Sequence, residues 1–148
     1  MLTKIAGSAV GILLLSIAVL SCAVRAGNIV LIPEGFVGWV RIQYEVQQAP
    51  SLPKEGVKYL IHIPSSGSLM TSSARQHGYG IDRYYFMTDS RRTPIPAEDQ
   101  GCASDQPCVQ QFTFFTSPVS ETVFFVGRHA DLARYPKPFV SGDESRPK

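Results

Sequence analysis

Three histidines, two downstream cysteines, a run of hydroxyls and scattered acids are the side chains of this chain that could do covalent or acid–base chemistry. His62, His77 and His129 stand far apart, with no His-x-His or His-Glu-x-x-His spacing among them. A zinc site would have to be assembled from distant pieces. Ser65-Ser66-Gly67-Ser68 offers hydroxyls. A nucleophile elbow, however, needs a strand-to-helix turn, and this region reads as strand to strand. Glu34, Asp82, Asp89 and Glu98 sit beside turn residues, where acids serve local hydrogen bonding. No Gly-x-x-x-x-Gly-Lys loop is present to cradle phosphates. These patterns nominate no catalytic residue, no metal ligand and no cofactor. Cys102 and Cys108 lack the Cys-x-x-Cys redox spacing and enclose a polar, turn-forming segment, so a structural disulfide is expected.

Aromatic residues give the better binding candidates. Trp39 alternates onto the charged face of its strand, and Tyr84 and Phe86 share one face of theirs. An exposed ring can stack on a sugar or anchor a partner. The competing readings bury these rings under a covered sheet face, or place Trp39 beneath the Gln47–Gly56 loop. Arg83, Arg91 and Arg92 flank the tyrosines and read as a solvated turn, with a small anion patch as the alternative.

The elements that must position these groups are strands. Val40, Ile42, Tyr44 and Val46 alternate with Trp39, Arg41, Gln43 and Glu45, the period of a half-buried strand. Val57, Tyr59, Ile61 and Ile63 alternate likewise. Asn28–Ile32, Ser68–Ser72, Asp82–Thr88, Val109–Thr116 and Thr122–Gly127 complete about seven short strands, the last two as a hairpin. Pro94 and Pro96 keep Thr93–Pro96 at a sheet edge or outside a sheet. His129–Tyr135 predicts two helical turns with Leu132 and Tyr135 toward the sheet. Turns every eight to twelve residues and no long helix predict an all-β fold, a compact antiparallel β-sandwich with a short C-terminal helix. A barrel is the alternative.

The first 26 residues read as an export signal: Lys4, then an apolar run from Ile5 to Val24. Two cuts compete. Val24-Arg25-Ala26 suits removal of residues 1–26, while Val19-Leu20-Ser21-Cys22 resembles a lipobox in which Cys22 is lipidated. An uncut membrane anchor is the third reading, since about 20 apolar residues span a bilayer. Residues 27–135 then form one domain, and 136–148 read as a disordered tail. The formal charge of +2 from 14 basic and 12 acidic residues belongs to Lys4 and Arg25 of the export segment. The remainder has no basic excess for nucleic acid. Membrane contact is expected only through the N-terminal anchor, and the location is periplasmic or extracellular.

The segments Leu31-Ile32-Pro33-Glu34-Gly35-Phe36-Val37-Gly38-Trp39-Val40-Arg41-Ile42, Tyr59–Ser73, Tyr84-Tyr85-Phe86 and Phe124-Phe125-Val126-Gly127 resemble, in that order, a family of short bacterial exported proteins and lipoproteins classed only as a domain of unknown function. The resemblance implies bacterial origin and a single exported domain, and carries over no catalytic residue. The layout around Gly56–Gly67 also resembles transthyretin-type sandwiches, a likeness that bears on fold alone. Three functions are expected in order. The first is a non-enzymatic interaction with an envelope protein or glycan. The second is a small-molecule or carbohydrate module using Trp39, Tyr84 and Phe86. The third is a hydrolase whose site is assembled from loops.

Overall fold

A computed structural model of the chain describes residues 24–115 and 119–138. The readings on residues 1–23, lipidation of Cys22 included, and most of the polar tail lie outside the described residues. Strands dominate: β1 (Asn28–Pro33), β2 (Gly38–Gln43), β3 (Lys54–Glu55), β4 (Lys58–His62), β5 (Ser68–Met70), β6 (Arg83–Met87), β7 (Arg92–Ile95), β8 (Cys108–Phe115) and β9 (Glu121–Gly127). Seven of these are the expected strands. The two additions are the short β3 and the proline-bearing β7, which lies at a sheet edge as Pro94 requires.

Two sheets stack as a sandwich, ordered β3-β4-β1-β6-β7 and β5-β2-β9-β8. The expected sandwich is present, but its pairing is not antiparallel throughout. β1 runs parallel to β4 and β6, and β2 runs parallel to β5. The other four pairings are antiparallel. The reason lies in the connections. A parallel pair cannot be joined by a tight hairpin. Here the chain crosses to the opposite sheet between β1 and β4, and again between β4 and β6, and each excursion serves as the crossover.

The core forms where the two inner faces meet. Val40, Ile42 and Tyr44 point in from β2 and its end, beside Val109, Phe124 and Val126 of the same sheet, and meet Ile61, Ile63 and Tyr84 of the other sheet, all buried. Val57 departs from its expected face. It lies in the β3–β4 turn and is exposed. β1 is buried from Ile29 to Leu31 and Ile32 on both faces, as a central strand with parallel neighbours should be.

Cys102 and Cys108 form a disulfide, with Cα atoms 5.9 Å apart. The C-terminal segment is a 3-10 helix, His129–Arg134. Asp131 fixes its start by accepting from the Arg128 backbone N–H at 3.0 Å and from its guanidinium at 3.1 Å. Past Tyr135, Lys137 Nζ donates to Thr113 Oγ1 at 3.0 Å. Among the described residues, no helix is long and apolar enough to cross a membrane.

Candidate functional site

Trp39, Tyr84 and Phe86 do not converge on one surface. Trp39 lies on the outer face of the β2 sheet. Its indole N–H donates to the Tyr135 carbonyl at 2.8 Å, and its ring meets Phe125 edge-on at 5.4 Å. The C-terminal segment covers it, not the Gln47–Gly56 loop. Phe86 is half-buried against the core. Tyr84 is buried on the inner face of β6, where it floors a cleft at one end of the sandwich.

That end is set by register. β1 begins beside the start of β6, with Ile29 opposite Arg83. β2 finishes there, since Gln43 pairs with Glu121 at the start of β9, and Phe115 ends β8 at the same level. The loop from Thr71 to Asp82 connects β5 to β6 across this end. The cleft encloses about 480 Å³. Tyr84, Phe112 and Phe114 form its apolar floor and wall, with ring centroids 5.9 Å (Tyr84–Phe112) and 6.3 Å (Phe112–Phe114) apart.

A β-bulge makes that wall possible. The β8–β9 register shifts between Gln110 and Thr113, and Gln111 takes φ of 58°. The extra residue reverses the facing of the strand beyond it. Val109 points inward before the bulge, and Phe112 packs against the core after it. The bulge is pinned where the Gln111 N–H donates to Glu98 Oε2 at 3.1 Å. This contact sets Glu98 and Asp99, on the 3-10 turn Glu98–Gln100, as an acidic rim.

Arg25 closes the other side. Nη1 donates to Asp82 Oδ1 at 2.6 Å and Nη2 to Oδ2 at 2.9 Å, the bidentate fork that guanidinium geometry favours. The Asn28 N–H adds a third donor to Asp82 Oδ1 at 2.7 Å. The bond to Asp82, opposed by partial burial, holds the Arg25 pKa above its ordinary value.

Behind Tyr84 the cleft leads to a small inner chamber of about 40 Å³. It shares Arg25, Asp82, Tyr84 and Phe114 with the cleft and adds Tyr44, Arg75, Gln76 and Thr122. Three buried polar atoms here have no hydrogen-bond partner among the described residues: Asn28 Oδ1, Arg75 Nε and Gln76 Oε1. Such clustering is uncommon in folded proteins. The space fits one or two waters, or the polar tip of a ligand. Burial pushes the Tyr44 and Tyr84 pKa values up, so both hydroxyls keep their protons at neutral pH. Arg75 has no acidic partner among the described residues. Its guanidinium lies 5.5 Å from the Phe114 ring centroid.

Among the described residues, no serine, cysteine or histidine lines the cleft or chamber, which present aromatic faces, hydrogen-bonding groups and charged side chains of both signs. His62, His77 and His129 are exposed. Of the three, only His129 has a side-chain partner among the described residues, Gln110 Oε1 at 3.3 Å. Among the described residues no cluster of three His, Cys, Asp or Glu side chains is arranged for a metal. Sequence reasoning did not single out Arg25, Arg75, Phe112 or Phe114 as site residues. Arg25 fell inside the expected signal, and the bulge that aims the phenylalanines leaves no local sequence mark.

The matched span of a known family begins at this very residue. The model of DUF6843, described as a family of unknown function, matches residues 25–121. The chain belongs to that family. The DUF6843 span therefore runs from the Arg25–Asp82 clasp to Glu121, at the cleft end of β9. No curated protein matches the chain. One solved structure, "Putative Lipoprotein from Bacillus anthracis", is 23% identical and covers 83% of this chain and 86% of its own, with a TM-score of 0.55. At that identity the likeness concerns the fold.

Proposed function

We propose that this DUF6843 domain is an exported, non-enzymatic binding protein, held at the cell envelope by its N-terminal segment and taking a small molecule into the end cleft. The observation that carries the binding reading is the pairing of an open aromatic cleft with an inner chamber in which three buried polar atoms lack partners among the described residues. A ligand with a flat apolar face and a small polar end satisfies both parts. Of the expected ring set, only Tyr84 takes part.

The tether reading is supported by Arg25. A cut after Ala26 would remove the guanidinium that clasps Asp82 and the backbone N–H that bonds the Tyr79 carbonyl at 2.9 Å. A cut before Cys22, or no cut, keeps both. The name of the Bacillus anthracis neighbour favours the same processing.

Mass spectrometry of the full chain, produced in a bacterium and purified from the membrane fraction, tests both parts. Under denaturing conditions the expected product starts at Cys22 with added lipid mass, or is uncut. Under native conditions it carries a bound small molecule that is lost in Arg75→Gln. A soluble product starting at Gly27 would refute the tether. A membrane product with no bound mass, and no thermal shift with a panel of amphiphiles and sugars, would refute the binding reading.

A further inference from the structure

Seven large apolar side chains are exposed among the described residues. Four of them, Val24, Tyr79, Ile81 and Phe114, are between 58% and 80% exposed, and the last three line the end cleft. Val24 forms a parallel bridge with Tyr79. Val57, in the β3–β4 turn, and Met70, where β5 ends beside Gln43, lie at the same end by register. Tyr135 alone of the seven lies elsewhere. An apolar set gathered at one end marks a contact surface.

The rim is built firmly. A Cβ at Gly80 would stand 2.5 Å from Arg25 Cγ, and one at Gly27 would stand 2.2 Å from the Ile81 carbonyl oxygen. Glycine at both positions lets the N-terminal arm and the Tyr79–Ile81 segment lie against each other. That contact fixes Tyr79 and Ile81 facing outward.

What covers this rim follows from the chain that enters it. The segment before Val24 is the apolar run from Ile5, and Cys22 is two residues away. Two extended residues reach about 7 Å. Amphipathic surfaces settle roughly 5–10 Å into the headgroup boundary, and tyrosine is enriched at that depth. We propose that the Val24–Tyr79–Ile81–Phe114 rim rests in the interfacial layer of the membrane that holds the N-terminal segment, so that the cleft opens onto lipid. The inference rests on the tether reading. Around the cleft the acids Asp82, Glu98 and Asp99 outnumber Arg25 and Arg75, so no basic excess draws the rim to anionic lipid, and docking is apolar and insensitive to salt.

The protein carries one tryptophan, and Trp39 lies toward the far end of β2, opposite Phe125. The test uses the full chain from the membrane fraction in phosphatidylcholine vesicles, with and without brominated acyl chains. Two proteins are compared: the parent, and Trp39→Phe combined with Tyr79→Trp, which moves the lone indole to an exposed rim position. Brominated lipid should lower emission from position 79 at least twofold and leave Trp39 emission within a tenth of its value. These results should hold at low and high salt. A chain that floats with vesicles but is quenched equally, or not at all, at both positions overturns the docking and leaves the tether. That outcome includes a rim covered by a second copy. A chain that does not float overturns both.

Discussion

Replacing Arg25 by Ala removes two charge-assisted hydrogen bonds from Asp82 and leaves that carboxylate with one backbone donor. The side chains of Arg25 and Asp82 are 17% and 22% exposed, so solvent screens the pair only in part. Hydrogen bonds to charged groups contribute about 1.5–3 kcal/mol, and removing one partner of a fully buried pair costs about 3–5 kcal/mol. For this partly buried clasp about 2 kcal/mol is expected. With a urea slope near 2 kcal/mol/M, that loss lowers the unfolding midpoint by about 1 M without changing the slope. Asp82→Ala should lose a similar amount, and the double variant should lose little more, because both remove the same contact. Arg92→Ala is the control. It breaks an equally well-formed fork, to Glu55, at an exposed site and should leave the midpoint in place. If Arg25→Ala and Arg92→Ala unfold at the same urea concentration, Arg25 is not part of the folded domain and the argument against a cut after Ala26 fails.

Tyr44 and Tyr84 should ionise late, because burial raises both pKa values. Their folded pKa values lie above the unfolded value of about 10, so the unfolded state binds fewer protons above that pH. Their contribution is intact below pH 10 and is lost as pH rises beyond it. Ultraviolet titration should show a late step that coincides with unfolding and shrinks in Tyr84→Phe. Cys102→Ser opens the loop closed by the disulfide and should cost about 2 kcal/mol in chemical unfolding. Reducing the parent should reproduce the loss. Trp39→Phe removes the indole donor to the Tyr135 carbonyl, worth about 1 kcal/mol. Trypsin should then cleave after Arg134 faster than in the parent, while global unfolding moves little.

Period-two patterns in the sequence located β2 and β4 because each presents one face to the core. Val40, Ile42, Tyr44, Ile61 and Ile63 are buried as alternation requires. β7 was legible as an edge through Pro94. Three features were not legible. The first was direction. Alternation is the same for parallel and antiparallel neighbours, and the unbroken run Ile29–Ile32 was the one residue-level sign of a strand buried on both faces. The second was parity after a bulge. Val109 and Phe112 differ by three in number yet face the same core, and only the left-handed Gln111 reconciles them. The third was the fate of Trp39. Its outer-face position was readable, but the ring's cover comes from Tyr135, 96 residues away.

Strand direction also decides where the cleft lies relative to the N-terminal segment. In an antiparallel β1–β6 pair, the residue before β6 would lie at the opposite end of the sheet from the residue before β1. Arg25 and Asp82 could not then meet. Because β1 and β6 run the same way, Asn28 and Asp82 sit side by side and Arg25 reaches the carboxylate. The same parallel arrangement sends the β5–β6 loop, with Arg75, Tyr79 and Ile81, over the end at which the N-terminal segment arrives. A sheet built from hairpins alone would separate the N-terminal segment, the apolar rim and the polar chamber by the length of the strands. Crossing between sheets gathers them within a few residues of Val24. Inserting one residue between Ala26 and Asn28 should therefore disturb all three at once. It would slip the arm against Gly80 and loosen the Arg25 clasp while leaving the β2–β9–β8 sheet intact. Hydrogen exchange would show the difference: protection lost at Asn28 and Arg83, and retained at Phe124 and Val126. Equal loss in both sheets would mean that the arm supports the whole sandwich and not one end of it.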